Sequence, residues 1–144
     1  MQLTMTGEYA LRSMLYICSK PYGFVFQISE ISASNNIPEN FLRKIIPLLN
    51  KAGILQSQRG IGGGISLLKP AEEITPLEII EAVEGPIGLN KCLISSDFCS
   101  NERWCSVHVL WSEAQSKLKE MLSSKTLAQL AIENNNSFKL FNSH

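Results

Sequence analysis

Pro38-Glu39-Asn40-Phe41-Leu42-Arg43-Lys44-Ile45-Ile46-Pro47-Leu48-Leu49, followed by Gly53-Ile54-Leu55-Gln56-Ser57-Gln58-Arg59-Gly60-Ile61-Gly62-Gly63-Gly64-Ile65-Ser66-Leu67-Leu68, is the stretch that decides the fold. Phe41, Leu42, Ile45, Ile46, Leu48 and Leu49 recur at helical spacing and form one apolar face, with Asn40, Arg43 and Lys44 opposite. Pro38 occupies the first turn, where its missing N–H is no loss. Pro47 falls inside the pattern and predicts a kink or a frayed last turn. Gly53 ends the helix. Two short runs, Ile54–Gln58 and Ile65–Leu68, then read as strands flanking a glycine-rich hairpin tip from Arg59 to Gly64.

Upstream, Thr6 to Ser19 carries Tyr9, Ala10, Leu11, Met14, Leu15, Ile17 and Cys18 at helical spacing, closed by Lys20-Pro21 and Gly23. Ser29 is expected to cap a short helix over Glu30–Asn35, and Asn35-Asn36 is a turn signal. Downstream, Thr75-Pro76 starts a helix that Gly85-Pro86 stops. Asn90 to Trp104 is irregular. Ser106 to Leu122 resumes helical periodicity, Thr126 caps a last short helix over Leu127–Glu133, and the remainder reads as a mobile tail. Helix, short helix, tight turn, helix and hairpin is the order of a winged helix-turn-helix. The fold is therefore expected to be mainly α, with a small β-hairpin wing and a further long helix.

The chain has 144 residues and a formal net charge of zero, enough for one domain with its own core and without a global charge signal. Its charges are unevenly placed. Between Ile37 and Pro70 the bases are Arg43, Lys44, Lys51, Arg59 and Lys69 against one acid, Glu39. Between Ala71 and Glu113 the acids are Glu72, Glu73, Glu78, Glu81, Glu84, Asp97, Glu102 and Glu113 against Lys91 and Arg103. A basic half beside an acidic one is a partner signal for the first half. Met1-Gln2-Leu3-Thr4 enters an amphipathic segment with neither a basic flank nor a long apolar core. No signal peptide or membrane span is expected, and the cytoplasm is the expected compartment.

Asn40, Arg43 and Lys44 are placed to meet base edges and phosphates, while glycines let the wing backbone approach a sugar–phosphate rail and Arg59 enter a narrow minor groove. Singly, each feature has a plainer reading: a basic helix is usually a solvated face and a glycine-rich hairpin usually a turn. No Gly-Lys-Ser/Thr follows the glycines, so the loop is not a P-loop. In this order and spacing the features point to double-stranded DNA.

Cys92, Cys99, Cys105 and His108 fall within seventeen residues of a chain with four cysteines and two histidines. Three thiols and an imidazole in a reducing compartment suggest a soft-metal or iron–sulfur site. Zinc is the chemical competitor, although structural zinc sites usually bring ligands in pairs two to four apart, and only Cys105 and His108 are that close. Cys18, among Leu15 and Ile17, reads as a buried, inert thiol.

Met1-Gln2-Leu3-Thr4, Tyr9-Ala10-Leu11-Arg12, Asn40-Phe41-Leu42, Gly53-Ile54-Leu55, Arg59-Gly60 and Gly62-Gly63-Gly64, together with the cysteine trio, resemble the Rrf-type family of bacterial winged helix-turn-helix regulators, IscR-, NsrR- and RirA-like. The resemblance runs from Met1 to about Ala131. It implies a homodimer in which the long helix crosses its mate, with Leu110, Trp111, Ala114, Leu118 and Met121 as the seam; an intrachain core stripe is the compatible plainer reading. It implies DNA contacts from Asn40, Arg43, Lys44, Arg59, Gly60, Gly62 and Gly63. It implies an iron–sulfur cluster on Cys92, Cys99 and Cys105, 2Fe–2S in preference to 4Fe–4S. His108 is the favoured fourth ligand and Glu8, from the partner subunit's first helix, the alternative.

On that resemblance the chain divides into a DNA-binding domain (1–86), a cluster loop (87–106), dimerisation and terminal helices (107–133) and a tail (134–144). The implied function is a transcriptional regulator, most simply a repressor, sensing cluster state through nitric oxide, redox change or iron availability. Two alternatives stand beside it: a cluster-free or zinc-binding CymR-like regulator controlled by a partner or metabolite, and, more remotely, an iron–sulfur electron carrier or enzyme. No catalytic constellation accompanies the cysteines. IscR-like proteins carry an acid and a glutamine where this chain has Arg43 and Lys44, so its operator is expected to differ.

Overall fold

The computed structural model describes residues 3–90, 93 and 104–143. It contains α1 (Met5–Cys18), α2 (Ile28–Asn35), α3 (Glu39–Lys51), a hairpin of β1 (Leu55–Gln58) and β2 (Gly64–Leu67), and a 3-10 turn (Ala71–Glu73). Then come α4 (Pro76–Glu84), α5 (Ser106–Ser123) and α6 (Leu127–Asn142). The expected winged helix-turn-helix is present, and the helices of the sequence reading recur with ends shifted by a residue or two except at α6.

α1 is the central element. Ala10, Met14 and Ile17 are fully buried on it, and α2, α3, α4 and α6 pack around it. Its start is fixed by Thr4, whose hydroxyl accepts the Gly7 N–H at 3.2 Å and itself donates to the Glu84 carboxylate at the end of α4. The approach is close: a Cβ on Gly7 would lie 2.3 Å from Glu84 Oε1. The helix-turn-helix is closed by Asn36, which takes left-handed backbone (φ 53°, ψ 49°). Asn is among the few residues that adopt that conformation readily. Ile37 N–H then reaches back to the Ser32 carbonyl at 3.1 Å. α3 buries Leu42, Ile45, Ile46 and Leu49 and runs through Pro47, which is exposed, to Lys51.

The hairpin is antiparallel, with Leu55 opposite Leu67 and Gln58 opposite Gly64. One pairing is absent from the sequence reading. Phe26 lies beside Ile65 on the free side of β2, exchanging N–H and carbonyl bonds of 2.7 and 2.8 Å. It fixes the chain in extended form immediately before α2. That helix therefore starts at Ile28 behind Gln27, which makes no side-chain cap, and not behind the expected Ser29.

α5 packs mainly on α4, and none of its residues is fully buried. α6 begins at a capping box in which Thr126 and Gln129 satisfy each other's N–H groups at 2.9 and 3.2 Å. Leu127 N–H bonds the Ile74 carbonyl at 2.8 Å, and Leu127 and Ala131 are buried. The helix does not stop at Glu133 as expected. The segment expected to be a mobile tail continues it to Asn142, because neither Pro nor Gly interrupts the sequence and the polar residues there lose only a few tenths of a kcal/mol each in helical form. All residues from Ile132 to Ser143 are exposed.

Candidate functional site

Two separate surfaces carry the residues singled out in the sequence. The first is built by α3 and the hairpin. Asn40, Arg43 and Lys44 are all exposed, opposite the buried stripe that holds α3 to the core. Among the described residues Arg43 is paired with Glu39, one turn earlier at 3.3 Å, in an exposed contact of small energy that an incoming phosphate or guanine can replace. Lys44 lies with its ammonium 5.9 Å over the Phe41 ring, and Phe41 meets Tyr9 edge-on at 4.9 Å, which joins the recognition face to α1.

Arg59, Gly60 and Gly62 are exposed at the hairpin tip, and Gly63 is half-buried. Gly63 N–H bonds the Gly60 carbonyl at 3.0 Å, closing a four-residue turn in which Gly62 takes φ 77°. That is a type II turn, where the third position needs glycine. The turn's base is tight: a Cβ on Gly63 would come within 2.3 Å of the Gln58 carbonyl oxygen, and one on Gly64 within 2.5 Å of the Phe26 carbonyl oxygen. Gln27 Nε2 donates to the Gly63 carbonyl at 2.7 Å and clamps the wing from outside the hairpin. Sequence reasoning missed Gln27 and Gly64, since both matter only through the long-range pairing of Phe26 with Ile65. It also passed over Ile61, which projects fully into solvent between two glycines.

The second surface surrounds the start of α5. Cys92 and Cys99 lie outside the described residues, so of the four expected ligands the structure describes Cys105 and His108. Cys105 is half-buried at the N-cap position and accepts the Val109 N–H at 3.3 Å through its carbonyl. His108 follows three residues later, in the first turn of the helix. Its Nδ1 is buried and has no hydrogen-bond partner among the described residues. A buried, unpaired imidazole nitrogen is costly unless something bonds it. A thiol and a buried, unpaired imidazole nitrogen are donor types that a thiolate-bound metal takes, although among the described residues no group of three or more such ligands is assembled. Upstream, Leu89 N–H is held by the Gln115 side-chain oxygen at 3.0 Å, which ties the approach to the loop onto α5 itself.

Glu8 stands differently. It is about half exposed and forms an ion pair with Arg12 at 2.8 Å, so its carboxylate is already engaged within the chain. Of the expected dimer seam, Leu110 and Met121 are 63% and 72% exposed, while Trp111, Ala114 and Leu118 are half-buried. Cys18 is buried as expected: burial, and after it the charge of Glu72, pushes its thiol up to about 12.

The family model Rrf2, described as an iron-dependent transcriptional regulator, matches residues 3–133. The chain belongs to the Rrf2 family. Its members are DNA-binding transcriptional regulators, not enzymes. Among solved structures, the chain is similar to CymR of B. subtilis, the global cysteine regulator, at 30% identity and a TM-score of 0.73, over 92% of this chain and 98% of that one. The oxidized form of Staphylococcus aureus CymR matches at 27% identity and a TM-score of 0.68, over 91% and 96%. T. potens IscR shares the fold, with 21% identity, a TM-score of 0.72 and coverage of 95% and 90%. Among the described residues, no helix of this Rrf2 regulator is long and apolar enough to cross a membrane.

Proposed function

We propose that this Rrf2 regulator is a homodimeric, cytoplasmic repressor whose affinity for a partly palindromic DNA operator is set by an iron–sulfur cluster on Cys92, Cys99, Cys105 and His108. The observation that carries this reading is the buried Nδ1 of His108, unpaired among the described residues one turn after Cys105. Glu8, the alternative fourth ligand, has only an exposed, exchangeable pair with Arg12, so it is the unpaired, buried nitrogen of His108 that favours His108. The cluster, 2Fe–2S in preference to 4Fe–4S, would supply a centre that nitric oxide, oxidants or iron scarcity can modify or remove.

The chain's own residues supply the rest. Cys105 and His108 lie at the first turn of α5, α5 packs on α4, and α4 packs on both α1 and α3. A restraint at the first turn of α5 is thereby in packed continuity with the helix that carries Asn40, Arg43 and Lys44. In the dimer, Leu110, Trp111, Ala114, Leu118 and Met121 would set the separation of two such helices, and so the half-site spacing they read. Arg59, Gly60, Gly62 and Gly63 of the wing would follow the flanking backbone. The domain (1–86), loop (87–106), helices (107–133) and C-terminal segment (134–144) are the units of this reading.

A second reading draws comparable support from the likeness to two CymR proteins: a cluster-free regulator controlled by a partner or metabolite. Anaerobic purification separates the two. The cluster reading expects a coloured protein with stoichiometric iron and sulfide, a changed affinity for its selected DNA site on cluster removal, and weakened cluster retention in His108→Ala but not in Glu8→Ala. A colourless protein that binds DNA unchanged after iron chelation, or one with stoichiometric zinc, overturns it.

A further inference from the structure

Ile61 is the most exposed apolar side chain among the described residues, with 110% of its reference accessibility. It occupies the second position of the Gly60–Gly63 turn, directly before Gly62. A type II turn asks for glycine at the third position but makes no demand for an apolar, β-branched residue at the second, where proline is favoured. Neither folding nor the turn accounts for it: it buries nothing in this chain. The turn beneath it is closely built, because Gly63 and Gly64 leave no room for a Cβ beside the Gln58 and Phe26 carbonyls and Gln27 holds the Gly63 carbonyl.

The surroundings define what such a tip fits. Between Asn40 and Ala71 the chain has no acidic residue, and Arg59 precedes the turn. On either side of Ile61 stands bare glycine backbone, slim enough for a groove only about 6 Å wide. An aliphatic side chain on a closely built, narrow, acid-free tip beside a guanidinium has the form of the wedges that proteins insert between base steps from the minor groove.

We propose that Ile61 is an apolar wedge that enters the operator's minor groove beside Arg59 and selects for deformable steps there. This rests on the DNA-binding reading above. The wedge contributes through burial of its aliphatic atoms, whereas Arg59 contributes through charge. Substitution of Ile61 therefore changes affinity and site preference without changing the salt dependence, which follows the number of phosphates neutralised. Pyrimidine–purine steps, which unstack most easily, are the expected sequence beneath it.

The test uses the full chain, purified anaerobically and also after iron removal, on the duplex that wild type selects from a randomised pool. Ile61→Ser is expected to bind about tenfold more weakly, in line with losing one buried aliphatic side chain. Ile61→Leu is expected to stay within about threefold, since it conserves volume and apolarity. The slope of affinity against salt should be the same in all three proteins, and the selected pool should show pyrimidine–purine steps flanking each half-site. Ile61 is exposed, so neither variant disturbs the core, which circular dichroism verifies. Equal binding by wild type and Ile61→Ser, or a serine variant whose loss comes with a shallower salt slope, overturns the wedge while leaving DNA binding intact. A folded wild type that selects no duplex in either form overturns the DNA-binding reading, and the wedge with it.

Discussion

Gly62 and Gly64 stand two residues apart in the wing and answer to different constraints. At Gly62 an added Cβ would meet nothing within 4 Å, and only its φ of 77° opposes a side chain. Gly62→Ala should therefore lower stability by about 1 kcal/mol, the penalty of one left-handed residue. At Gly64 a φ of 153° is combined with a Cβ only 2.5 Å from a backbone oxygen. Gly64→Ala should lower stability by about 2–3 kcal/mol, as backbone strain and overpacking together imply. Urea unfolding followed by circular dichroism measures both, and equal losses would sink the distinction. Cys18 gives a pH-linked counterpart. Its folded thiol is raised from the ordinary 9.0 to about 12, so the unfolded chain releases this proton first. Its contribution is complete below pH 9 and declines as the pH climbs towards 12. Between those limits, wild type should lose urea resistance more steeply than Cys18→Ala; parallel curves would show that the thiol is not shielded.

Among the elements, α5 and α6 separate what a chain owes to itself from what it offers to others. Leu110 is largely exposed, so Leu110→Asp should leave the monomer's stability within about 0.5 kcal/mol while raising the dimer dissociation constant at least tenfold. Sedimentation equilibrium decides it, and an unchanged constant would remove Leu110 from the seam. Deleting residues 134–144 should change stability by less than about 1 kcal/mol, because no residue there that the structure describes is buried. A larger loss would mean that the last turns of α6 are tied down. The apolar periodicity of α1, α3 and α4 was readable in the sequence, since each must turn a stripe towards the core; that of α5 was readable too, although its stripe stays half-buried or exposed; and Thr75 and Thr126 marked helix starts through their own side chains. What could not be read was set at long range. Phe26 pairs with Ile65, nearly forty positions away, and so displaced the start of α2 from Ser29. The extent of α6 escaped because a run of asparagines resembles a loop while carrying no residue that forbids a helix. Of the candidate site, the exposure of Asn40, Arg43 and Lys44 opposite the buried stripe of α3 was legible. The orphaned state of His108 Nδ1 was not, because burial of one ring nitrogen depends on how α5 sits on its neighbours.

For the molecule as a whole, zero net charge conceals a division that should appear in solution as steep salt sensitivity. DNA affinity should fall as a power of salt concentration, and Arg43→Ala should both weaken binding and shallow that slope by about one phosphate contact per protomer. An unchanged slope with weaker binding would instead mark Arg43 as a reader of bases alone. The hydrogen bond between Leu127 N–H and the Ile74 carbonyl has a mechanical side as well. It joins the chain just before α4 to the chain just after α5, with Ile74 and Leu127 both fully buried. The start of α4 and the end of α5, far apart in the chain, are therefore held side by side. A shift of α4 at this clasp is met directly by all three helices packed on it, α1, α3 and α5.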